Sequence, residues 1–548
     1  MTRNVYITAL LTLLVAACSE PASTPEDAPV EKASFDWKTS SIYFLLTDRF
    51  NNGDSTNDRH FERNEQTGKL RNFMGGDIKG ITQKVKEGYF TDLGIDAIWF
   101  TPVFEQIHGF VDEGSGVTYG FHGYWPKDWS AIDPNYGTMD DLKELVATAH
   151  SKGIRVVMDV ILNHTGPVTS KDVVWPENWV RTSPTCTYQN YITTAECTLV
   201  KNLPDVLTES DEAVELPATL IEKWKKEGRY AQEMKELDAF FAETGFPRAP
   251  RYYIMKWLVD LIKELGIDGF RVDTVKHLHE DAFAELSELA QQAFANWKNQ
   301  HPEAVWHQDD FYMLGEVYGY GISGQEYYNF GDRKVNYYDH GFNSLINFEY
   351  VWDAKNDYET IFTKYDSLVN TPTMADKGVV SYISSHDDGN PYDGKRLKPY
   401  ESANKLLLTP GSIQIYYGDE TARSLVIAGT EGDATLRSFM NWQDLETDST
   451  KAILHHWQKL GRFRQAHAAV AGGAHRMLQA SPYTFSRVTA NDRVVVALDT
   501  QAGKKQIVTG NTFEEGTQLT DYYSGKKAIV TDGAVTIDSD FTTVLLAE

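Results

Sequence analysis

The segment GIDGFRVDTVKH, residues 266–277, places charged side chains within an otherwise apolar strand. Phe270 and Val272 are typical core residues, yet Arg271 and Asp273 lie two positions apart in the same run. Because side chains alternate along a strand, residues two apart project from the same face. A cation and a carboxylate on one face of a buried strand are costly unless they pair with each other. The segment therefore predicts a buried strand with an Arg–Asp pair at its end.

Strand-like apolar segments of this kind recur from residue 41 to about residue 420, and amphipathic helical stretches separate them. The eight strand candidates are residues 41–50, 94–104, 153–164, 266–277, 311–318, 342–350, 378–388 and 412–420. Thr138 is placed to cap a helix, and Gly153 and Gly266 are placed to end helices. Eight successive βα units predict an α/β protein with a closed (β/α)₈ barrel of the TIM type.

Two interruptions of this rhythm predict further domains. About 100 residues separate the third and fourth strand candidates, far more than an ordinary βα loop contains, and this predicts a small irregular inserted domain over residues 165–249. After about residue 455 the pattern changes to short alternating segments, which predicts a C-terminal antiparallel β-sandwich over residues 456–548. The barrel then comprises residues 37–164 and 250–455.

Polar residues collect at the carboxyl ends of the predicted strands, where (β/α)₈ barrels carry their chemistry. They are Asp48, Asn163, His164, Asp273, Glu316, His386 and Asp387. A lone acidic residue at a strand end is more often solvated or structural, but Asp273, Glu316 and Asp387 belong to three separate strands. A glycoside hydrolase needs two carboxylates, one as nucleophile and one as acid/base. Arg271 is expected to lower the pKa of Asp273 and keep that carboxyl ionised.

The composition excludes one class of partner and leaves another open. The formal net charge is −26, with 78 acidic against 52 basic residues, which argues against nucleic-acid binding because that binding rests on basic contacts to phosphate. A neutral substrate is compatible with this charge. The 13 Trp and 29 Tyr residues suit either aromatic platforms for sugars or a large core. The sequence carries no signal for the oligomeric state.

The N-terminal sequence MTRNVYITALLTLLVAAC has one early charge and then an apolar run too short to span a bilayer. The run ends in small residues before Cys18, and LVAAC resembles the lipobox of bacterial lipoproteins, whose cysteine is lipidated. This resemblance implies a signal peptide at residues 1–17, followed at residues 18–36 by the lipidated cysteine and a disordered tether. We therefore expect an exported lipoprotein that contacts the membrane only through its lipid; the alternative is an ordinary signal peptide.

Two further cysteines, Cys186 and Cys197, lie eleven residues apart in a polar, Thr-rich stretch. In an oxidising compartment such a pair predicts a local disulfide. The alternative is two free buried thiols.

Several motifs together resemble the α-amylase family of glycoside hydrolases, whose barrels act on α-glucans. Four of them follow the order of the four signature regions of that family: DVILNH (159–164), GFRVDTVKH (269–277), GEVYG (315–319) and SSHDD (384–388). Three more motifs are similar to further family segments: NLPDVL (202–207), GFHGYWPKDW (120–129) and YYGDE (416–420). The resemblance covers about residues 41–470 and identifies the chain as a member of this family.

The resemblance implies a role for each residue of the site. Asp273 would be the nucleophile, Glu316 the acid/base and Asp387 the transition-state stabiliser of a retaining mechanism. Glu316 must begin protonated, so its pKa should be raised, and the two nearby carboxylates act in that direction. The resemblance also assigns substrate contacts. Tyr124 would stack on the sugar, His164 and His386 would bond its hydroxyls, Arg271 would position the nucleophile, and Lys276 and His277 would contact the leaving side.

Two calcium sites are also implied. The first would join the barrel to the inserted domain through Asn163, Asp205 and the carbonyl of His277, which are hard oxygen ligands that suit calcium. The second resembles a calcium loop of cyclodextrin glucanotransferases, and a turn without metal is the alternative. Its ligands would be Asn52, Asp54, Asn57, Asp58, the Gly75 carbonyl and Asp77.

The expected activity is hydrolysis of α-1,4-glucosidic bonds in starch or maltodextrins. A cyclomaltodextrinase, maltogenic amylase or glucanotransferase of the same family is the alternative, and a non-catalytic glucan-binding protein is disfavoured because all three carboxylates are present. Two departures leave the subfamily open: NLPDVLTES lacks an Asn or Asp two residues after its PD, and SSHDD has Ser in place of the usual Asn. The single C-terminal domain favours hydrolysis over transglycosylation.

Overall fold

A computed structural model describes Met1 and residues 34–112, 114 and 116–548 of the chain. The predicted signal peptide, Cys18 and most of the tether lie outside the described residues. Within the described ranges, no helix is both long enough and apolar enough to cross a membrane.

The prediction of an eight-stranded closed parallel barrel is confirmed. Its strands, numbered here in chain order, are β1 Ser41–Leu45, β2 Ala97–Phe100, β3 Arg155–Val160, β4 Gly269–Val272, β5 Tyr312–Gly315, β6 Ser344–Asn347, β7 Gly378–Ser381 and β8 Ser412–Tyr416. Each strand pairs with its neighbours in sequence, and β1 closes the ring by pairing with both β2 and β8. Most strands are shorter than the predicted segments at both ends, and the polar residues predicted at their carboxyl ends lie just beyond the strands.

Helices surround the barrel, and two more lie in the inserted domain. The longer helices are α1 Ile78–Lys86, α2 Met139–Ser151, α3 Ala218–Lys226, α4 Tyr230–Thr244, α5 Pro250–Leu265, α6 Asp281–Gln300, α7 Tyr358–Val369, α8 Pro399–Leu407 and α9 Asp448–Ala466. Helix α2 begins with the predicted cap: Thr138 Oγ1 accepts from Asp141 N at 3.2 Å, and the Asp141 carboxylate accepts from Thr138 N at 2.8 Å. Helix α5 ends at Gly266, where a Cβ would lie 2.2 Å from Trp297, so only glycine fits.

The shorter elements lie mostly in loops between the barrel strands. Short helical turns occur at Thr47–Phe50, Tyr89–Asp92, Ile192–Ala195, Tyr350–Asp353 and Ala468–Gly472. Small antiparallel pairs join Phe104–Gln106 to Pro126–Ile132, Val111–Asp112 to Val117–Thr118, Val180–Arg181 to Asp205–Val206, and Tyr328–Asn329 to Lys334–Val335.

The segment after β3 is only partly irregular, as its second half contains helices α3 and α4, which the sequence analysis did not predict. Apolar residues at helical spacing, including Trp224, Leu237 and Phe241, are buried there. The first half carries the predicted pair Cys186 and Cys197, which the structure joins in a disulfide with their Cα atoms 5.0 Å apart.

The C-terminal region is a two-layered antiparallel β-sandwich. Its strands are β9 Ala474–Ala480, β10 Tyr483–Val488, β11 Arg493–Leu498, β12 Gly503–Val508, β13 Gln518–Asp521, β14 Lys526–Ile529, β15 Ala534–Ser539 and β16 Val544–Ala547. Six strands form one sheet and β12 with β15 forms the other; Val495, Ile507, Leu519 and Ile537 pack between the sheets. The predicted boundary at residue 456 is corrected, because it falls inside α9, a continuous helix that ends at Ala466.

Candidate active site

The carboxyl ends of β4 and β5 and the loop after β7 meet in a cavity of about 490 Å³. Asp273 and Glu316 directly follow their strands, and their backbone N–H groups still donate to Val160 and Val272 of the neighbouring strands. Continued pairing fixes where the two side chains point. Asp387 enters the same cavity from its loop, so the structure brings the three predicted carboxylates together.

Arg271 lies fully buried beneath the cavity and contacts three carboxylates. Its Nη1 donates to Asp159 Oδ1 at 2.8 Å and to Asp273 Oδ1 at 2.9 Å. Its Nη2 forms an ion pair with Glu316 Oε2 at 2.9 Å. Burial disfavours the cation, but Asp159 and Glu316 hold the pKa of Arg271 above its ordinary value. The predicted Arg–Asp pair is therefore part of a larger cluster.

The cluster shifts the pKa of Asp273 in the direction opposite to the one expected. Burial raises this pKa to about 6, although Arg271 opposes the shift. Burial likewise raises the pKa of Asp159 to about 6. One guanidinium shared by three carboxylates cannot offset the desolvation and mutual repulsion of all three. Near neutral pH, Asp273 is still mainly ionised.

Glu316 has the raised pKa that an acid catalyst needs. Burial raises its pKa to about 7, with Asp273 and Asp387 adding to the shift and Arg271 opposing it. The N–H of Thr274 donates to Glu316 Oε2 at 3.0 Å, which fixes the carboxyl in place. A carboxyl with a pKa near the working pH can donate a proton and take it back.

Asp387 differs from the other two carboxylates in its exposure and charge. Its side chain is 39% exposed, compared with 7% for Asp273 and 8% for Glu316. Desolvation disfavours its charge, but His386 and Arg437 together hold the pKa of Asp387 well below its ordinary range. Arg437 forms an ion pair with it, and His386 Nε2 lies 3.0 Å from Oδ2. Asp387 therefore stays ionised beside Glu316.

The predicted substrate-binding residues lie in or directly behind the cavity wall. Tyr124, His164, Lys276 and His277 line the cavity, whereas Arg271 and His386 are buried behind it. The Tyr124 hydroxyl donates to Asp159 Oδ2 at 2.8 Å, which holds the ring in place.

Backbone carbonyls hold two of the histidines in the cavity wall, His164 and His277. His164 Nε2 donates to the Tyr124 carbonyl at 3.0 Å, and His277 Nδ1 donates to the Thr194 carbonyl at 2.8 Å. Burial lowers the pKa of His164 to about 4 and that of His277 to about 3. Both imidazoles are therefore neutral at physiological pH.

Sequence reasoning missed two charged residues of the site. Asp159 accepts from Trp99 Nε1 at 3.0 Å and from Tyr124 and Arg271, so it joins β3 to the cluster. A lone Asp inside the apolar strand β3 is the same signal that identified Arg271 and could have revealed it. Arg437 lies in a loop after β8, and no local pattern marks it.

The proposed first calcium site contains an uncompensated buried oxygen. Asn163 and Asp205 are buried, and within the described structure Asp205 Oδ1 has no hydrogen-bond partner. Arg181 Nε lies 2.8 Å from Asp205 Oδ2, yet burial still raises the pKa of Asp205 to about 9. A bound cation would remove this cost, so the oxygen donors at this position fit calcium.

The proposed second site fits less completely. A Cβ on Gly75 would lie 2.5 Å from Asn52 Nδ2 and 2.6 Å from Asp58 Oδ1, so these three residues form a tight cradle. Asn57 Oδ1 is buried without a hydrogen-bond partner in the part of the chain that the structure describes.

Two other expected ligands of this second site have different partners. Asp54 pairs with Lys79 at 2.6 Å, and Asp77 accepts from Gly80 N at 2.6 Å to cap α1. Among the described residues, no three carboxylate, imidazole or thiolate side chains converge in a way that could hold a metal ion.

Comparison with known proteins identifies the class that this fold and site define. The family model described as "Alpha amylase, catalytic domain" matches residues 44–468, which is most of the chain. The chain belongs to the α-amylase family and is an α-amylase-type glycoside hydrolase.

Individual relatives agree with this family. The periplasmic α-amylase of Escherichia coli (strain K12) is 33% identical over 537 residues, covering 87% of this chain and 74% of that protein. A cyclomaltodextrin glucanotransferase of Niallia circulans is 26% identical over 543 residues, covering 93% of this chain and 66% of that protein.

Among solved structures, the α-amylase of Geobacillus thermoleovorans complexed with acarbose has a TM-score of 0.65 at 20% identity, covering 94% of this chain and 99% of that chain. This likeness concerns the fold.

Proposed function

We propose that this enzyme hydrolyses α-1,4-glucosidic bonds of starch or maltodextrins by a retaining double displacement. The observation that carries the proposal is the guanidinium of Arg271, which contacts Asp273 and Glu316 from adjacent strands at 2.9 Å each. Two carboxyls that contact one guanidinium are close neighbours, and retaining enzymes need a separation of roughly 5–5.5 Å. A wider gap, which would admit a water molecule between the carboxyls, would give inversion.

In the first step, Asp273 attacks the anomeric carbon while Glu316 protonates the glycosidic oxygen. The bond to the leaving glucan breaks and a covalent glycosyl–Asp273 ester forms. Arg271 keeps the nucleophile oriented, and the Tyr124 ring, fixed through Asp159, offers a face on which the sugar ring stacks. The charged Asp387 stabilises the positive charge that develops on the sugar in the transition state.

In the second step, Glu316, now ionised, takes a proton from water, and the water oxygen attacks the anomeric carbon. The ester breaks, the sugar leaves with its original α configuration, and Glu316 is again protonated. A pKa of about 7 for Glu316 suits both halves of the cycle.

The names of the relatives support an α-glucan as substrate. The periplasmic α-amylase favours hydrolysis, whereas several cyclomaltodextrin glucanotransferases at 24–26% identity favour transfer to another glucan as a second candidate. Both reactions share the first step and differ in whether water or a sugar hydroxyl attacks the ester.

The test is the product profile from amylose, pullulan and β-cyclodextrin, with the anomeric form of the first products read by NMR. Linear α-anomeric maltooligosaccharides are expected. Cyclic or lengthened products would favour transferase activity, and β-anomeric first products would refute the retaining mechanism.

Calcium would bind at Asn163, Asp205 and the carbonyl of His277, and when bound it would supply positive charge at Asp205 Oδ1, the oxygen that Arg181 does not contact. Binding to the native state alone stabilises by mass action, about 2.7 kcal/mol at 100 times the Kd. Chelator should therefore lower the melting temperature of the wild type and change that of Asp205→Asn much less. A wild-type melting curve that responds to neither chelator nor added calcium would refute the site.

Export and lipid anchoring complete the proposal. The periplasmic location named for the relative at 33% identity supports export, and the LVAAC sequence supports lipidation of Cys18. Two acyl chains suffice for stable anchoring, so the wild type should fractionate with membranes and be released by detergent rather than salt. Cys18→Ser should be soluble and active. A wild type recovered wholly in the soluble fraction would refute anchoring.

A further inference from the structure

A second cavity, of about 840 Å³, lies between the barrel and the C-terminal sandwich. Its walls come mainly from α8, α9 and two loops of the sandwich, the one after β11 and the one between β15 and β16. This interdomain groove is larger than the catalytic cavity, and the two are lined by different residues of the described chain. Ligand sites are often found at junctions between domains, in pockets of roughly 300–1,000 Å³. The groove therefore has the size and position of a binding site.

Two exposed aromatic rings line the interdomain groove, one on each domain. Tyr400, on α8, is 44% exposed, and Phe541, in the loop between β15 and β16, is 43% exposed. Tyr400 packs against His456 with 5.0 Å between ring centres, and Phe541 packs edge-on against Tyr523 at 5.1 Å. Each exposed ring is thus held in place by a buried ring, and the rest of its surface is open to a ligand.

Hydrogen bonds between these buried rings join the two domains. His456 Nε2 donates to Asn404 Oδ1 on α8 at 3.0 Å, and His456 Nδ1 accepts from the Tyr523 hydroxyl at 2.7 Å. Both bonds form with a neutral imidazole, and burial lowers the pKa of His456 to about 4. Lys459 Nζ donates to the Tyr523 carbonyl, which adds a second link between α9 and the sandwich. The groove is therefore formed before a ligand arrives, as binding pockets usually are.

The charges in the groove favour a neutral ligand over an anion. Lys398 forms an ion pair with Glu401 at 3.2 Å, and the exposed residues Asp499 and Asp540 add negative charge. The net charge of −26 on the whole chain also repels polyanions. Hydroxyl groups, in contrast, donate to carboxylates and bond to an exposed imidazole such as that of His455.

An organic cation fits the groove less well than a neutral ligand, because a lysine already occupies the position beside its rings. Lys459 Nζ lies 4.6 Å from the centre of the Phe541 ring and 4.8 Å from that of the Tyr523 ring, within cation–π distance. A second cation beside these rings would be repelled by the ammonium. The ligand class that remains is neutral, rich in hydroxyls and able to pack on aromatic rings.

We propose that the interdomain groove is a second binding site for α-glucan chains, in which sugar rings stack on Tyr400 and Phe541. The proposal rests on the proposed function, because it takes the polymeric substrate of the enzyme as the ligand. Pyranose rings have apolar faces that pack on aromatic rings, and their hydroxyls reach the polar groups of the groove. A groove that holds one part of a starch chain raises the concentration of the rest of that chain near the catalytic cavity.

The first test compares a polymeric with a short substrate in the double variant Tyr400→Ala/Phe541→Ala. Loss of both rings should weaken binding to starch granules about tenfold and lower the initial rate on granules. The kcat/KM on maltotetraose, a short soluble substrate that reaches the catalytic cavity by diffusion, should stay unchanged. Both side chains are exposed, so the variant should fold. Unchanged binding to granules, or an equal loss on maltotetraose, would overturn the assignment.

Two control variants accompany this test. Tyr400→Phe/Phe541→Tyr keeps both rings and should retain the binding to granules. Trp352→Ala removes a ring that is 51% exposed elsewhere on the surface, and it should also leave this binding unchanged. A loss in Trp352→Ala as large as that in the double alanine variant would indicate adsorption through any exposed ring and would overturn the site.

The second test counts binding sites by calorimetry in Asp273→Asn, which does not consume its ligand. Maltoheptaose should bind at two sites, and adding Tyr400→Ala/Phe541→Ala should leave one. Cellohexaose, whose glucose units are β-1,4-linked, should not bind in the groove. A single maltoheptaose site before the alanine substitutions, or equal binding of cellohexaose in the groove, would overturn the proposal. A wild type that cleaves neither granules nor maltotetraose would refute the proposed function instead, so the two failures are distinguishable.

Discussion

Strand β4 carries a buried charge cluster at each end, and the two clusters are built in opposite ways. At its carboxyl end, Arg271 serves the three carboxylates Asp159, Asp273 and Glu316. At its amino end, Asp268 accepts from His150 Nε2 at 2.8 Å and from His307 Nε2 at 2.6 Å.

The pKa shifts follow from this difference. At the carboxyl end, burial raises the pKa of all three carboxylates because one cation is too few. At the amino end, burial acts in the same direction, but His150 and His307 outweigh it and hold the pKa of Asp268 well below its ordinary value. The cluster at the amino end therefore stabilises the fold. The cluster at the carboxyl end instead holds the pKa values of its carboxyls near neutral pH, where they can exchange protons during the reaction.

The first prediction has the largest expected effect and concerns a substitution in the cluster at the carboxyl end of β4. Asp273→Asn should lower kcat on maltoheptaose by about 10⁴-fold or more, as removal of a nucleophile does. Its melting temperature should stay the same or rise, because a carboxylate with a raised pKa is ionised at neutral pH at a cost to folding. Calorimetry and initial rates measure the two quantities. Substantial turnover in pure protein, or a large drop in melting temperature, would contradict the assigned role.

The second prediction concerns a substitution in the cluster at the amino end of β4. Asp268→Asn should lower the free energy of unfolding by about 3 kcal/mol, as the loss of one partner in a buried charged network does. The specific activity of the folded protein should be unchanged. The exposed Asp538→Asn serves as the matched control and should stay within about 0.5 kcal/mol of the wild type. Denaturant unfolding measures the difference in stability. An Asp268→Asn variant that is as stable as the wild type but inactive would show that the cluster at the amino end of β4 serves catalysis and not stability.

The pH dependence of this stability has a defined sign. The pKa of Asp268 is depressed in the folded state, so its contribution is fully present above the unfolded-state pKa of about 3.9. It is lost as the pH falls through the lower, folded-state pKa. The acid-induced loss of stability should therefore be smaller in Asp268→Asn than in the wild type.

The third prediction concerns the catalytic pH profile. Asp273 must be ionised and Glu316 protonated, and their pKa values are about 6 and about 7, so kcat/KM should follow a narrow bell between these values. The apparent pKa read from each limb belongs to the coupled carboxyls as a group and not to one residue alone. For α-maltosyl fluoride, whose leaving group needs no proton, the alkaline limb should be much weaker. An alkaline limb that is equally strong for both substrates would contradict the assignment of Glu316 as the general acid.

The contrast between the two ends also shows what sequence could predict. The alternation along GFRVD was sufficient for β4, for the pairing of Arg271 with Asp273 and for the carboxyl-end location of the site. The number of carboxylates that share Arg271 depends on the register between β3, β4 and β5, which one segment does not reveal. For that reason the sign of the pKa shift of Asp273 was wrong while that of Glu316 was right.

Regions outside the barrel were less predictable for similar reasons. The β-sandwich was evident from short alternating segments, but its predicted start lay inside α9 because a change of pattern does not mark the last turn of a helix. Arg437 reaches Asp387 across about 50 positions of sequence. Two residues so far apart in sequence meet only when the chain between them folds into a closed loop. No local sequence pattern therefore indicates such a contact.

The fourth prediction has the smallest expected effect. It changes the number of carboxylates that share Arg271 and leaves the reacting carboxyls themselves in place. Asp159→Asn removes one of the three carboxylates that share Arg271, and Asp159 is one of the groups that raise the pKa of Asp273. Arg271 then serves two carboxylates, so the acid limb of kcat/KM should move to lower pH by up to about one unit. The alkaline limb should move less, because Asp159 is not among the main groups that shift Glu316. The amide keeps an oxygen for Tyr124 and Trp99, which limits the loss of kcat, and measured profiles on maltoheptaose decide the point. An acid limb that stays in place or moves to higher pH would show that Asp159 does not compete for the guanidinium.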